Sequence, residues 1–337
     1  MRFLLYIVLV CFFISGFSEE KSPVSRCCKP SNPPRSFYTS ATFLYFYASE
    51  RGLSYALTNS TKTQFAPNIG ASLVNMDFEY KPGVRLGFGY VTNHDDWDIY
   101  SEYTRFYQTT SSSKKAPQNG SLFTFWLKNQ NQGFAESASA KWNLDMDILD
   151  IELGRSGAVQ GVVFRPFFGL RSMWLDQKYN VSYFDVIPAS TQGVYSEEIN
   201  SKNKSSSWAL GPRFGVDTQW IFGKGIYLLG DIAGSLIYTS YKVSHRESNT
   251  FGNMPSFILK NSPENLRANL ELALGLGWGT SIYQNRYHMD LSAGYEFHYF
   301  WNQNEMTTLG KVAGFSFGGG GMDLSLHGLS LKVRFEF

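Results

Sequence analysis

The residues best suited to acid–base chemistry lie close together near the C-terminal end of the chain. Glu296 and His298 are two positions apart, and Glu305 follows shortly after them. A histidine beside carboxylates can act as a general base, provided that it reaches the proton to be transferred. The sequence adds no metal-spaced set of His and Cys and no phosphate-binding glycine loop. We therefore expect no catalytic, metal-binding or cofactor-binding residues and no enzyme activity, with hydrolysis kept as a minor alternative.

Other charged residues recur at every second position of long stretches, with apolar residues between them. The stretch "YHMDLSAGYEFHY" and the C-terminal "LSLKVRFEF" both follow this rule. Alternation with a period of two is typical of β-strands, in which successive side chains point to opposite faces of the sheet. The charged residues that share the polar face of such stretches are Arg85, Glu102, Arg165, Arg171, Arg213, Asp217, Asp231, Glu271, Asp290, Glu296, Lys332, Arg334 and Glu336.

Breaks of two kinds divide the chain into ten such stretches. Short breaks alternate with long polar ones, the short at 92–96, 155–160, 223–225 and 283–286 and the long at about 58–72, 110–138, 178–205, 242–265 and 302–321. Two local irregularities are expected as well. "KPG" (81–83) interrupts the second stretch, and the alternation changes phase around 144–153, which predicts a β-bulge.

The length of these stretches favours a membrane barrel over a soluble β-sandwich. They run for roughly twelve to seventeen residues, whereas strands usually have about 5–6 residues and need about 9–11 to cross a membrane. Trp and Tyr concentrate near both ends of the stretches, as in the two interfacial girdles of a barrel, although both types also favour strands in general. Lipid cannot hydrogen-bond a free sheet edge, so the strands must close on themselves. The predicted fold is all-β, a transmembrane antiparallel up-and-down β-barrel of about ten strands (range about 8–12), with short periplasmic turns and long extracellular loops.

The N-terminal segment has the parts of a secretory signal peptide. Arg2 supplies the positive charge, Phe3 to Ile14 is an apolar run, and Gly16 to Ser18 is a small-x-small cleavage site. The run is too short for a membrane helix, which needs about 20 apolar residues, so we expect cleavage after Ser18 instead of a retained anchor. The predicted organisation is a signal peptide (1–18), a disordered periplasmic extension rich in Pro and Ser (19–37) and the barrel (38–337).

Cys27 and Cys28 lie side by side in this extension. Adjacent cysteines bridge each other only with strain, and an exported chain meets an oxidising compartment. An intermolecular disulfide is one expectation, and a pair of inert thiols is the other.

Particular stretches follow one another over about residues 40–337: "ATFLYFYASERGLSYAL", "FEYKPGVRLGFGY", "WDIYSEYTRFY", "FRPFFGLRSMWLDQKY", "GPRFGVDTQW", "GDIAGSLIY", "GYEFHYFWNQN" and "DLSLHGLSLKVRFEF". Together they resemble the pore-forming major-outer-membrane-protein-like family of legionellae and chlamydia-like bacteria. The resemblance implies an outer-membrane β-barrel that forms a pore and has no catalytic residues. Chlamydial-type members are rich in cysteine, so their disulfide cross-linking can be transferred only to Cys27 and Cys28.

In such a barrel the polar face points inward, so the thirteen charged residues given above are predicted to line the pore. The expected function is passive diffusion of small solutes or ions, with the charges tuning what passes. Acidic and basic residues are similar in number, which predicts no strong ion selectivity. One alternative is a lumen filled by paired side chains, as in small barrels, which would leave a structural or adhesive barrel. An outer-membrane hydrolase is the other.

The last stretch predicts how the barrel closes and is assembled. Leu331, Val333, Phe335 and Phe337 are expected to face lipid and to form the signal that the barrel-assembly machinery recognises. The expected partners are that machinery, outer-membrane lipid and small solutes or ions, and a homo-oligomer is left open. The net charge of +2 gives no reason to expect nucleic acid. The predicted location is the outer membrane, after export by the cleaved signal peptide.

Overall fold

A computed structural model describes residues 36–59, 71–92, 95–128, 131–188, 196–249, 257–282, 287–312 and 322–337. Ten long strands form its body: β1 (Ser36–Glu50), β2 (Tyr80–Val91), β3 (Trp97–Lys115), β4 (Ser137–Arg155), β5 (Val162–Pro188), β6 (Ser196–Gly223), β7 (Ile226–Asn249), β8 (Glu264–Ile282), β9 (Tyr287–Phe300) and β10 (Leu324–Glu336). Helix α1 (Glu305–Val312) lies in the connection between β9 and β10. Within the described ranges, no helix has the length and apolar character needed to cross a membrane.

Each long strand pairs antiparallel with the next, and β10 pairs with β1, which closes the barrel. The closing seam extends from Tyr38, opposite Glu336, to Glu50, opposite Leu324. The predicted up-and-down barrel of ten strands is confirmed. The short connections lie at one end, which we call the turn end, and the long ones at the other, the loop end.

Strand β1 begins at Ser36, two residues before the predicted start of the barrel. The predicted signal peptide, most of the predicted extension, and Cys27 and Cys28 lie outside the described residues. Their cleavage, disorder and pairing stay predictions.

The long strands change the face on which they carry apolar residues. In the turn-end part of β5, Phe168, Leu170 and Trp174 are exposed on the outside of the barrel. Beyond Trp174 the pattern inverts, because Tyr179 is buried inside and Lys178 is exposed outside. Crossing a membrane takes about 9–11 tilted residues, so much of this 27-residue strand extends past the apolar belt into water.

The predicted bulge around 144–153 is wrong, because β4 pairs with β3 and β5 without any register shift. The alternation changes phase there because the apolar residues of β4 move from the inner to the outer face of the barrel, as they do in β5. In the loop-end part of β4, Leu144 and Met146 are buried inside the barrel, whereas Ile151 in the turn-end part is exposed outside.

Two of the predicted long breaks are mostly strand. Strands β5 and β6 pair from Val162, opposite Trp220, as far as Val186, opposite Ser196, so the break at 178–205 shrinks to its tip. Strand β7 likewise continues to Asn249. The outward side chains of these arms are polar because water surrounds this part of the barrel, and a polar strand face resembles a loop in sequence.

The "KPG" sequence does not interrupt β2 either. Pro82 pairs with Tyr45 of β1 but lies one residue beyond the last β2–β3 pair, Gly83 with Phe106. No strand on the β3 side therefore needs the N–H group that proline lacks.

An apolar core fills the loop-end part of the barrel. Inward side chains of the strands contribute Phe46, Phe106 and Trp142, all fully buried. The β1–β2 and β3–β4 connections add a small four-stranded sheet, formed by Ser72–Val74, Ala56–Asn59, Ser121–Thr124 and Gly133–Ala135. This sheet joins the barrel through the pair of Phe134 with Ile187 at the end of β5.

Residues 53–57, 121–127 and helix α1 close the loop end, and we call them the plug. The Trp126 indole N–H donates a 2.9 Å hydrogen bond to the carbonyl oxygen of Ser54, and its ring meets the Tyr179 ring edge-on at 4.8 Å between centroids. From α1, Met306 and Leu309 are buried in the same core. Connections that the sequence predicts as polar loops thus supply apolar side chains to the interior.

Candidate functional site: a charged cavity inside the barrel

A cavity of about 1270 Å³ lies inside the barrel. At the turn end it is lined by Asp95, Asp96 and Ser156 of the turns, and at its far end by Phe46 and Phe300 of the apolar core. It therefore extends from the turn end towards the plug and stops at the core.

All thirteen charged residues of the predicted polar face line this cavity. Besides Asp95 and Asp96 of the turn, three acidic residues of the strands that the sequence reasoning missed line it too: Asp98, Asp150 and Glu152. Asp98 shares its face of β3 with Glu102, so the alternation could have revealed it. Asp150 and Glu152 were missed because the assumed bulge obscured the phase of β4. The part that any of these residues plays in conduction stays a prediction.

Two buried arginines hold acidic side chains at the middle of the cavity. Arg171 donates hydrogen bonds of 2.8 and 2.6 Å to Asp150 and a further one to Glu271. Arg213 donates a 2.7 Å hydrogen bond to Glu271 and another to Glu152. Glu271 on β8 is three strands away from Arg171 on β5, so these ion pairs reach across the interior instead of following one wall.

Arg85 continues the same network from the opposite wall. It donates hydrogen bonds of 3.1 and 2.9 Å to Glu296, and its Nε lies 3.3 Å from Glu102. His298 is hydrogen-bonded to Glu296 at 3.0 Å and lies 3.7 Å from Glu271, so the imidazole joins the two sides. We call this connected set the ionic belt: Arg85, Glu102, Asp150, Glu152, Arg171, Arg213, Glu271, Glu296 and His298.

Nearer the turn end, a second cluster of paired charges borders the cavity. Arg165 donates a 2.6 Å hydrogen bond to Asp98 and bonds of 2.9 Å to Glu152 and Asp217. The Asp217 side chain is 40 % exposed. Of these four residues, Asp217 is the one most open to water.

Hydrogen bonds from β5 hold the plug over the cavity. The Tyr179 hydroxyl donates to the carbonyl oxygen of Leu53 and the Tyr183 hydroxyl to that of Tyr55, both at 2.6 Å. The Tyr183 oxygen also accepts a 3.1 Å hydrogen bond from the N–H of Trp126. Burial raises the pKa of Tyr55 to about 12, so this phenol is uncharged at neutral pH. The loop segments of the plug are therefore fastened to β5 by neutral groups, whereas α1 is fastened to β8 by the ion pair of Glu305 with Arg267.

Glycines on the inward face make room for aromatic rings of the neighbouring strand. A Cβ atom on Gly89 would lie 2.0 Å from the Tyr38 ring, and one on Gly277 would lie 2.2 Å from the Tyr227 ring. Each ring sits directly opposite its glycine in the strand register. These rings narrow the lumen at positions where the glycines alone would widen it.

The three residues considered for acid–base chemistry do not come together. Glu296 and His298 belong to the ionic belt, whereas Glu305 lies in α1, where it pairs with Arg267 and accepts a 3.0 Å hydrogen bond from Asn265. In the described part of the chain, no group of three or more His, Cys, Asp or Glu is placed to hold a metal ion.

The sequence reasoning missed one match to G-x-S-x-G, at 314–318, which lies outside the described residues. It follows α1 and precedes β10. A nucleophile elbow instead joins a strand to a following helix. The order of elements around this match is therefore the reverse of the one that the motif requires.

The residues of the predicted assembly signal lie at the closing seam. Leu331, Val333, Phe335 and Phe337 point outward and are 37–54 % exposed. The backbones of Phe337 and Phe37 exchange hydrogen bonds of 2.9 and 3.0 Å. Recognition of these residues by an assembly machinery stays a prediction.

A closed ten-stranded barrel with an apolar outer belt and a polar interior defines a transmembrane β-barrel of the outer-membrane class. The chain belongs to the family of the Legionella pneumophila major outer membrane protein precursor, whose model matches residues 30–337. It is accordingly an outer-membrane protein, and in this class the turn end faces the periplasm and the loop end the exterior.

Solved structures with a similar course of chain include other outer-membrane barrels. A major outer membrane protein from Thermus thermophilus is 12 % identical, with 90 % of this chain and 99 % of that chain covered and a TM-score of 0.35. The outer membrane protease OmpT from Escherichia coli is 10 % identical, with 90 % and 97 % covered and a TM-score of 0.38. A Pseudomonas aeruginosa FadL homologue is 7 % identical, with 90 % of each chain covered and a TM-score of 0.27. Likenesses at this level carry no argument about activity, and no curated protein matches the chain.

Proposed function

We propose that this protein is an outer-membrane channel for small polar solutes or ions, closed at its extracellular end in the conformation described. The observation that carries the proposal is the cavity of about 1270 Å³ with its charged lining. A hydrated lumen lined by charges of both signs lets polar solutes pass and tunes their passage. Movement of the plug would connect this cavity with the exterior.

The plug is built so that it can move without opening the barrel. It consists of one helix and two segments that include strands of the small sheet, which pairs with the wall at Ile187 and Pro188, whereas the wall itself is held by continuous strand pairing. The Ala116 N–H donates a 2.8 Å hydrogen bond to the carbonyl oxygen of Glu136, so the two ends of the β3–β4 connection adjoin each other. Displacement of residues 117–135 would leave this hairpin paired.

A permanently filled barrel with a structural or surface role is the second candidate. The ionic belt favours it, because Arg171 and Arg213 join acidic groups on different walls at the middle of the lumen. Interiors of small barrels are filled by side chains in this way. A solute would then need both the plug and the belt to rearrange.

Conductance in a planar lipid bilayer separates the two candidates. The variant replaces residues 117–135 by Asn-Gly, which suits a two-residue hairpin, and the control shortens the β7–β8 connection within 250–255. A closed channel predicts discrete conductance steps for the wild-type protein, more frequent or larger steps for the 117–135 variant, and unchanged steps for the control. A silent wild-type protein beside a conducting variant would show that the plug alone closes the lumen and that the ionic belt does not fill it. If both folded proteins are silent, the channel proposal is wrong.

A further inference from the structure

Basic residues concentrate on the outside of the barrel, at the loop-end part of β4 to β7. Seven of them point outward and are exposed, and we call them the basic patch: Lys141, Lys178, Lys202, Lys204, Lys242, Arg246 and Lys260. They lie in neighbouring strands, since β4, β5, β6 and β7 are adjacent and Lys260 belongs to a short strand, Ile258–Asn261, that pairs with β7.

The strand register places like charges directly opposite each other. Lys178 faces Lys204 across the β5–β6 pair, and Lys202 faces Arg246 across the β6–β7 pair. Like charges in such positions destabilise a sheet. None of the seven forms a salt bridge with another residue that the structure describes. Among the described residues, therefore, no ion pair offsets this repulsion.

Polar side chains that can both donate and accept hydrogen bonds separate these cations. Asn180 lies between Lys141 and Lys202 in one row across the sheet, and Ser244 lies between Lys204 and Lys260 in the next. Asp176 is the acidic residue next to Lys178 on the outward face of β5. The surface therefore combines a surplus of positive charge with groups that suit phosphate and hydroxyl oxygens.

The patch begins directly above the outer aromatic girdle. Trp174 faces Trp208 across the β5–β6 pair, and Tyr238 packs edge-on against Trp208 with 6.1 Å between centroids. Such rings mark the boundary between hydrocarbon and headgroups. Lys178 and Lys204 come four residues beyond the tryptophans, which is about 13 Å along the strand and about 10 Å in height at the usual tilt.

The height of the patch indicates what kind of headgroup it fits. The headgroup region of a bilayer adds only about 5–8 Å beyond the hydrocarbon on each side. Lys202 and Arg246 lie six residues beyond the row of Trp208, or about 15 Å in height, so they exceed the reach of an ordinary phospholipid headgroup. A larger headgroup that carries both phosphates and sugars spans the whole patch.

We infer that the basic patch binds the headgroup of a phosphorylated glycolipid in the outer leaflet. The cations neutralise its phosphates, the interspersed Asn and Ser side chains bond its sugar hydroxyls, and its acyl chains lie against the aromatic girdle and apolar belt below. The bound anion also removes the repulsion between the facing Lys and Arg residues. This assignment is independent of whether the lumen conducts.

The test compares three lipids in mixed detergent micelles with the full folded barrel: diphosphorylated lipid A, lipid A from which both phosphates have been removed, and phosphatidylglycerol. Native mass spectrometry measures the bound lipid. The patch variant is Lys178→Gln/Lys204→Gln/Arg246→Gln, and the control is Lys224→Gln/Lys311→Gln, at the opposite end and in α1. Each basic residue near an anionic lipid surface contributes roughly a fivefold gain in binding.

Wild-type protein and control should bind diphosphorylated lipid A with equal affinity and prefer it to both other lipids. The patch variant should bind it about a hundredfold more weakly, since three cations are removed. The lipid-free patch variant should unfold at the same temperature as wild type or higher, because repulsion is relieved, and it should lose the rise in unfolding temperature that lipid A gives wild type. Equal binding by patch variant and wild type, or no preference for the phosphorylated glycolipid, would overturn the inference.

Discussion

Buried guanidinium groups hold the acidic side chains of the interior in place. Arg171 is only 2 % exposed and neutralises both Asp150 and Glu271. When one partner of such a buried group is removed, the remaining charges are left both desolvated and unpaired. Loss of the arginine alone therefore destabilises the barrel. This holds even if the complete ion-pair network stabilises it no more than an apolar interior of the same volume would.

Arg171→Gln should therefore lower the free energy of unfolding by about 3–5 kcal/mol. Urea titration of the detergent-solubilised barrel, followed by the heat-modifiable shift on gels, measures the change. Arg105→Gln is the matched control, because Arg105 pairs with Asp145 and Asp147 on the outside with 41 % of its side chain exposed, where an ion pair contributes at most about 1 kcal/mol. Equal effects of the two substitutions would show that the belt does not depend on Arg171.

Gly89 matters for packing, because the Tyr38 ring lies directly against its backbone. Gly89→Ala places a methyl group 2.0 Å from the Tyr38 ring, and overpacking of this kind costs about 1–3 kcal/mol. The same titration should show this loss, whereas Gly234→Ala should be nearly neutral, since the nearest atom to its Cβ is 3.6 Å away. A double variant Gly89→Ala/Tyr38→Ala should lose less than the sum of the single variants, because they share one contact. Additive losses would refute the role of this contact.

At the scale of the strand, alternation of apolar and polar residues predicted most of the fold. It did not reveal that the strands continue beyond the apolar belt at the loop end. Ten strands could be located because side chains alternate between apolar and polar in any strand whose two faces meet different surroundings. This holds whether the outer face borders lipid or water. The side of the strand that is apolar cannot be known until the surroundings are known. Lys178 and Lys204 therefore resembled loop residues, although both lie in paired strands.

The candidate site was predictable in the same partial way. Alternation along each strand correctly predicted that all thirteen charged side chains face the cavity. The bond from Arg171 to Glu271 depends instead on which strands face each other across the lumen, and this follows from closure and tilt. The apolar plug was unpredictable because Leu53 and Trp126 lie in the long loop-end connections, which have no strand periodicity.

The Trp126 side chain stabilises the plug but takes no part in the strand pairing of the barrel wall. Trp126→Ala removes a fully buried ring and the 2.9 Å hydrogen bond to Ser54, a loss of about 3–5 kcal/mol of packing. The strand ladder does not use this ring, so the plug should loosen while the barrel stays folded. Limited proteolysis should then cut within 117–135, and the protected barrel should keep its heat-modifiable shift.

Trp301→Ala is the control for this prediction, because Trp301 is an aromatic residue of the loop end with 39 % of its surface exposed. It should leave the proteolytic pattern of the wild-type protein unchanged. Resistance of Trp126→Ala to cleavage, or loss of the whole barrel, would contradict the separation of plug and wall.

Closure of the molecule depends on its two chain-terminal strands. Lipid cannot satisfy an open edge, so β1 and β10 must pair along their length. At the turn end, Phe337 and Phe37 exchange two backbone hydrogen bonds, and their rings stack at 6.4 Å between centroids. Phe335 stacks on Tyr287 of β9 at 5.6 Å, which ties the same strand to its other neighbour.

Deletion of Phe337 should therefore reduce the amount of folded barrel in the outer membrane while export to the periplasm continues. It removes the last pair of the seam, together with the terminal ring that an assembly machinery would recognise. Phe337→Tyr retains the backbone pair and an interfacial ring, so it should assemble like the wild-type chain. Membrane fractionation with a heat-modifiability assay distinguishes inserted barrel from periplasmic chain. Wild-type yield after the deletion would mean that the remaining seam, from Tyr38 with Glu336 onward, suffices for both recognition and closure.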